Sequence, residues 1–310
     1  MKKVIILLGP TGVGKTGASI LLARKLGTEI IGSDSMQIYR GMDIGTAKPT
    51  LEERAEIRHH MIDIVDPSES FSTGQYIEKV VPIIEDLHAA GKIPLIVGGT
   101  GLYIKAVTRG IFSGPSADWN LRDSLIEREE DERGSLYAYL SEIDPDAAAK
   151  IEKNDTRRIV RAIEVRMKSG EKISLLQKRY TQPLPYEFIK IGLSKERREL
   201  YRMIEERVDR MVACGLREEV VRLLRMNPGR TPLQAIGYKE FALHREGGIT
   251  LKEAVALVKR NTRRYAKRQF TWFRKEEGIR WTDITGVSTD EEIFRKIERV
   301  LHDRQPGFRP

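Results

Sequence analysis

The sequence predicts an α/β fold, a doubly wound parallel sheet interrupted by a helical insertion. Three observations carry this expectation. Val4–Leu8 and Ile93–Val97 are unbroken apolar runs, which read as strands covered on both faces. Segments of helical spacing, Thr16–Leu26 and Tyr76–Ala90, alternate with them. After Phe112 the chain becomes charged, helical in pattern and short of strands until about Ser174.

In order, Val4–Leu8 is closed by Gly9 and followed by a helix whose apolar positions are Ile20, Leu21, Ala23 and Leu26, with Gly27 as its stop. Glu29–Gly32 is a second short strand running into Ser33-Asp34-Ser35. A loop-rich stretch around Met42–Pro49 precedes the Tyr76–Ala90 helix, and the third strand, Ile93–Val97, ends in Gly98-Gly99-Thr100-Gly101. Ser113-Gly114-Pro115-Ser116 and Thr181-Gln182-Pro183-Leu184-Pro185 punctuate the two ends of the insertion. The expected domains are therefore a core of 1–112 and 188–310 and an insertion of 113–187. Phe188–Leu193 alternates like a strand and is placed to rejoin the sheet. Helices follow, with Leu200, Met203, Ile204, Val208, Met211 and Val212 on one stripe.

Composition removes several classes. With 40% apolar and 32% charged residues, the chain has the material for a core. The single cysteine, Cys214, excludes an internal disulfide and a cysteine zinc cluster. The apolar start is too short for a signal peptide core, and no run approaches a membrane span. A soluble, cytoplasmic protein is expected, with a monomer as the default state.

The net charge of +9 is uneven: +1 over 1–112, −2 over 113–187 and +10 over 188–310. Much of the excess lies in Ala254–Lys275, which has no acidic residue. Such a patch suits a polyanion, most often nucleic acid, or is simply a solvated basic helix face. Arg260, Arg263, Arg264, Lys267 and Arg268 recur at helical steps and predict one positive ridge. Tyr265, Phe270, Trp272 and Phe273 nearby are suited to base stacking or, for most of them, to core packing. Arg157, Arg158 and Arg161 form a second basic cluster within the otherwise acidic insertion.

Gly9-Pro10-Thr11-Gly12-Val13-Gly14-Lys15-Thr16 matches G-x-x-x-x-G-K-[ST], directly after a strand and opening a helix. The glycines let successive N–H groups face one anion, and the helix N-terminus adds partial positive charge. Lys15 supplies a mobile point charge, and the Thr16 hydroxyl can ligate Mg²⁺. The core is thus P-loop NTPase-like. The strand Ile93–Val97 ends without the acid that a hydrolysing P-loop enzyme places there, and no guanine-reading Asn-Lys-x-Asp is present. A diphosphate leaving group, for which no water must be activated, is compatible with that.

Asp34 follows the second strand and should face the ligand crevice. From position alone it is a metal ligand, a general base, or an Asx-turn or helix cap. Asp43 and Asp63 are alternatives without a strand-end position. The histidines 59, 60, 88, 244 and 302 show no ligand spacing.

The blocks Gly9–Thr16, Asp34-Ser-Met-Gln37-Ile-Tyr-Arg-Gly-Met-Asp-Ile-Gly-Thr-Ala-Lys-Pro49, Val97-Gly-Gly-Thr-Gly-Leu-Tyr103, Asn154-Asp-Thr-Arg157 and Ala266-Lys-Arg-Gln-Phe-Thr-Trp272 occur in this order over nearly the whole chain. Together they resemble the bacterial tRNA dimethylallyltransferases, also called tRNA isopentenyltransferases. The resemblance implies transfer of the five-carbon group of dimethylallyl diphosphate to N6 of the adenosine at tRNA position 37, just 3′ of the anticodon. On it, Gly9, Pro10, Thr11, Gly12, Val13, Gly14, Lys15 and Thr16 hold the diphosphate and Mg²⁺, and Asp34 is the general base. Thr100 and Arg122 line the channel that admits the flipped base. Contacts to tRNA fall to Asp34, Ser35, Met36 and Gln37, to Arg157, Arg158, Ile159, Val160 and Arg161, and to Gln234, Ala235, Ile236, Gly237, Tyr238 and Lys239. The zinc finger of eukaryotic members is not expected in a chain with one cysteine.

Three rivals share the phosphate loop: a small-molecule kinase, a prenyltransferase acting on free AMP, and a non-catalytic RNA-binding protein that senses nucleotide. The kinase explains neither the basic helix nor the Asp34–Pro49 block, and the ridge disfavours AMP as acceptor.

Overall fold

The computed structural model describes residues 1–302, so the last eight positions of the expected 188–310 segment lie outside the described residues. Six strands form one wholly parallel sheet: β1 (Lys3–Leu8), β2 (Ile30–Ser33), β3 (His59–His60), β4 (Leu95–Gly98), β5 (Glu187–Ser194) and β6 (Ile279–Asp283). Their order is β3-β2-β4-β1-β5-β6, and the expected α/β class is the one observed. β1 lies inside the sheet between β4 and β5, with Ile5 opposite Leu95 on one side and Ile189 on the other. Val4–Leu8 is fully buried, which is why the run is apolar without alternation. Because successive strands leave β1 in opposite directions, the ligand crevice belongs at the carboxyl ends of β1, β2 and β4.

Element limits move for local reasons. The strand read from Ile93 begins its pairing at Leu95, because Pro94 has no N–H to give and only its carbonyl bonds, to Ile5 N at 2.9 Å. The helix read from Tyr76 starts at Thr73, where Ser72 and Gln75 make a capping box. None of the described helices is long and apolar enough to cross a membrane.

The chain divides into two compact units, Met1–Ile104 with the chain from Pro185, and Lys105–Leu184. The expected insertion limits are 113 and 187. Glu187 N already bonds Lys2 O at 2.9 Å and Tyr186 bonds Glu85, so the approach to β5 belongs to the sheet unit. At the other limit, a Cβ on Gly110 would lie 2.0 Å from Gln182 O, so this segment is packed within the second unit. That unit is helical and closes its own core around Leu136, Leu140, Ile159, Ile163 and Val165.

Candidate active site

Gly9–Thr16 curls from β1 into the helix Lys15–Leu26. Gly12 and Gly14 sit at φ 83° and 99°, left-handed backbone that a side chain would strain. Lys15 Nζ folds back onto the loop, donating to Gly9 O at 2.9 Å and Pro10 O at 2.8 Å. Burial, and then the charge of Arg207, push the Lys15 ammonium down to about 7, against the opposing pull of Asp34. Arg207 reaches in from the helix Arg197–Ala213 and donates from Nη2 to Thr11 Oγ1 at 2.7 Å. Burial lowers its pKa to about 10, again opposed by Asp34. Arg207 Nε is buried with no partner among the described residues. Two crowded cations and an unpartnered buried N–H are what an anion site requires.

Asp34 turns out to be a cap and a cradle charge at once. Its Oδ1 accepts from Met36 N at 2.8 Å and Gln37 N at 3.3 Å, an Asx turn, while its negative charge is felt by Lys15, Arg207 and Tyr265. Thr100 lies beside it: Thr100 N donates to Ser33 O at 3.1 Å, and Thr100 Oγ1 accepts from Ser35 N at 3.1 Å. Tyr265 hydrogen-bonds Thr100, and burial followed by the Asp34 charge pushes its hydroxyl up to about 12. Lys15, Asp34 and Thr100 are thus gathered at the ends of β1, β2 and β4.

The glycines after β4 have a packing reason. A Cβ on Gly98 would lie 2.1 Å from Ser33 O, and one on Gly101 2.5 Å from Trp272 Cδ2. The helix Leu251–Phe273 therefore passes directly over the strand end. Gln269 on that helix donates to Gly99 O and accepts from Thr11 N, both at 2.8 Å.

The Asp34–Pro49 block is braced by a residue that the sequence pattern did not single out. Glu219 is 2% exposed; its carboxylate accepts from Asp43 N at 3.0 Å, Ile44 N at 2.8 Å, Gly45 N at 2.9 Å and Tyr238 OH at 2.6 Å. Gln37 Nε2 bonds Thr46 O and Ala47 O, each at 3.1 Å, tying this loop to the Asp34 turn. Asp43 and Asp63 serve as structural partners of Lys48, at 2.6 and 2.5 Å. Arg207 and Glu219 share one overlooked signal, a charge on the apolar face of an amphipathic helix: Arg207 between Ile204 and Val208, and Glu219 with Leu216 and Val220.

The residues expected to touch RNA differ in exposure. Ile159, Val160, Ala235 and Tyr238 are buried side chains, and Gly237 is a buried turn at φ 97°, so none offers a side chain to a partner. Arg157, Arg158, Gln234 and Lys239 are exposed, while Ile236 is half-buried. Ser35, Met36 and Gln37 are also half-buried, with the Gln37 amide committed as described. Arg161 bonds Pro115 O at 2.9 Å and Glu164 at 2.5 Å. Arg263 leaves the expected ridge for Glu205 and the Tyr201 ring, because its helix flank faces the helix Arg197–Ala213. Arg260, Arg264, Lys267 and Arg268 remain exposed on one side, opposite the buried Val258, Thr262, Ala266, Gln269 and Phe273. Of the aromatics, Phe273 is buried, and Phe270 packs on the sheet core and stacks with Trp281.

Within the Lys105–Leu184 unit, Arg122 forks onto Glu164, Nε to Oε1 at 2.9 Å and Nη2 to Oε2 at 2.7 Å. Glu164 also accepts from Asp118 N at 2.7 Å. Burial pushes Glu164 up, but Arg122, the Asp118 N–H and Arg161 outweigh it and hold the carboxyl at about 2.

No group of three or more acidic, histidine or cysteine residues among the described residues is placed to hold a metal. The Thr16 hydroxyl could hold a magnesium ion that takes its other ligands from phosphate oxygens and water, an arrangement normal for this ion.

The IPP transferase family profile matches residues 37–276. A protein of Thermodesulfovibrio yellowstonii named tRNA dimethylallyltransferase is 56% identical over 97% of this chain and 99% of its own. The full-length tRNA isopentenylpyrophosphate transferase of Bacillus halodurans superposes with a TM-score of 0.72 at 43% identity, covering 97% of this chain and 96% of its own. A eukaryotic dimethylallyltransferase, solved acting on tRNA, gives a TM-score of 0.80 at 31% identity over 98% of this chain and 81% of its own. On these matches the chain belongs to the IPP transferase family.

Proposed function

We propose that this chain transfers the dimethylallyl group of dimethylallyl diphosphate to N6 of the adenosine at tRNA position 37, releasing diphosphate. The observation that carries the reading is a phosphate loop holding Lys15 and Arg207 at the end of β1, with Asp34 at the end of β2, where Thr100 ties it to the end of β4. Lys15, Arg207 and the loop amides of Gly12–Thr16 bind the donor's diphosphate and stabilise the charge that grows on it as the carbon–oxygen bond breaks. Mg²⁺ held with the Thr16 hydroxyl would add to that neutralisation. The N6 lone pair forms the new bond to C1, and the amine proton passes to the Asp34 carboxylate. An adenine amine is a weak nucleophile, so positioning and leaving-group stabilisation supply most of the rate.

Thr100 and Tyr265 orient the Asp34 turn through Ser35. The exposed ridge Arg260, Arg264, Lys267 and Arg268, with Arg157, Arg158, Gln234 and Lys239, holds RNA phosphates, offsetting the few kcal/mol needed to unstack the base. A cytoplasmic monomer acting on free tRNA fits this reading. Labelled dimethylallyl diphosphate and Mg²⁺, offered unmodified tRNA together with millimolar AMP, test it: label on tRNA supports the reading. Label on AMP instead, or no transfer with tight ATP binding, overturns it.

A further inference from the structure

The side chain of Gln269 lies between the backbone just past β4 and the entry of the phosphate loop. It is 7% exposed, and its amide is fully used: Oε1 takes the Thr11 N–H and Nε2 gives to Gly99 O, both at 2.8 Å. Only an amide of this length satisfies both, since one backbone group is a donor and the other an acceptor. Thr11 is also held from its other side, where Arg207 Nη2 donates to its hydroxyl at 2.7 Å. Gly99 has no side chain because Gln269 occupies the space: a Cβ there would lie 2.4 Å from Gln269 Nε2 and 3.1 Å from Gly9 O. The carbonyls of Gly9 and Pro10 in turn receive Lys15 Nζ.

Resting on the proposed donor, we propose that Gln269 is a positioning residue for the diphosphate site. It fixes the entry of the phosphate loop, and thereby the amides and the lysine beyond it, without touching the substrate. The Thr11 amide is consumed by Gln269, so the anion is served by the amides that follow. Losing the clamp orphans a buried carbonyl and a part-buried N–H and lets the loop entry shift, a displacement felt first in donor binding.

The test compares Gln269→Met, which keeps length but removes both hydrogen bonds, with Gly99→Ala, which pushes Gln269 aside from the strand. Donor and tRNA KM, kcat, and calorimetric affinity for dimethylallyl diphosphate with Mg²⁺ are measured for each and for the double variant. Each single change is expected to weaken donor binding and raise donor KM by roughly tenfold, with tRNA KM within about twofold of wild type. The double variant is expected to be no worse than either alone, because both break one clamp. A residue that only supports folding would lower kcat through the active fraction and leave both KM values alone; that result overturns the proposal, as does a fully additive double variant. Gln269→Glu provides a third reading if Gln269→Met does not fold. It keeps an acceptor for Thr11 N but sets an anion against Gly99 O and the diphosphate, so it should raise donor KM further. An unchanged donor KM there would also overturn the proposal. Wild-type protein that fails to bind dimethylallyl diphosphate at all refutes the donor assignment itself, a result distinct from any behaviour of the variants.

Discussion

Glu219→Ala is expected to be among the costliest single changes in the sheet unit, although Glu219 sits far along the sequence from the motifs. Removing the carboxylate leaves three backbone N–H groups, of Asp43, Ile44 and Gly45, and the Tyr238 hydroxyl without their acceptor. A fully buried orphaned group such as the Tyr238 hydroxyl costs about 1–3 kcal/mol, the three part-buried N–H groups cost less each, and relaxation or water entry recovers part of the total. A loss of about 3–5 kcal/mol follows, in line with breaking other buried charged networks. For a unit of this size each kcal/mol lowers Tm by roughly 2–4 °C, so a drop on the order of 10 °C is expected. Glu219→Gln keeps one acceptor oxygen but turns an NH₂ toward other donors, and should lose about half as much. The loop also holds Gln37, so turnover at 25 °C should fall roughly tenfold with donor affinity unchanged. Thermal melts with steady-state kinetics read both effects. A Glu219→Ala protein melting within about 2 °C of wild type would refute the reasoning.

Other consequences follow from charge. Glu164 has a depressed pKa of about 2, so its contribution to stability is complete above the ordinary glutamate range and disappears as pH falls toward 2. Glu164→Gln should therefore flatten acid unfolding of the helical unit, followed through Trp119, whose ring lies 5.1 Å from the Arg122 guanidinium. Lys15, at about 7 without ligand, must be charged to hold a diphosphate; donor affinity should fall as pH rises from 7 to 9, and Lys15→Met should abolish that dependence at lower overall affinity. Replacing Arg264, Lys267 and Arg268 with alanine should weaken tRNA binding and leave donor KM unchanged. The slope of log affinity against log salt should shrink by about 0.7–0.9 for each phosphate no longer neutralised, and an unaltered slope would remove the ridge from the RNA surface.

The sheet, the phosphate loop and the position of Asp34 were legible because each rests on short-range pattern. Val4–Leu8 could only be a strand covered on both sides, and Gly9–Thr16 has one established geometry. β5 was legible from the alternation of Phe188–Leu193, but its place beside β1 was not, since register and neighbours are set by long-range pairing. The RNA-facing segments were legible as segments only. Helical geometry sends Ile159 and Val160 inward while Arg157 and Arg158 face out. Arg263 reads as free charge because its partner Glu205 lies 58 residues away along the chain, whereas the Arg161–Glu164 pair, three residues apart on one helix, was open to reading from helical spacing. Gln269 was in view within a basic, aromatic run, but its task depends on Gly99 and Thr11, 170 and 258 residues away along the chain.

Single-turnover transfer in Asp34→Ala protein, preloaded with dimethylallyl diphosphate and saturated with unmodified tRNA, tests the central claim most directly. The expected result is a rate reduced by roughly 10²–10⁴, with donor and tRNA affinities each within about threefold of wild type. A rate close to that of wild type would contradict the account, because the amine proton would then leave by way of some other group.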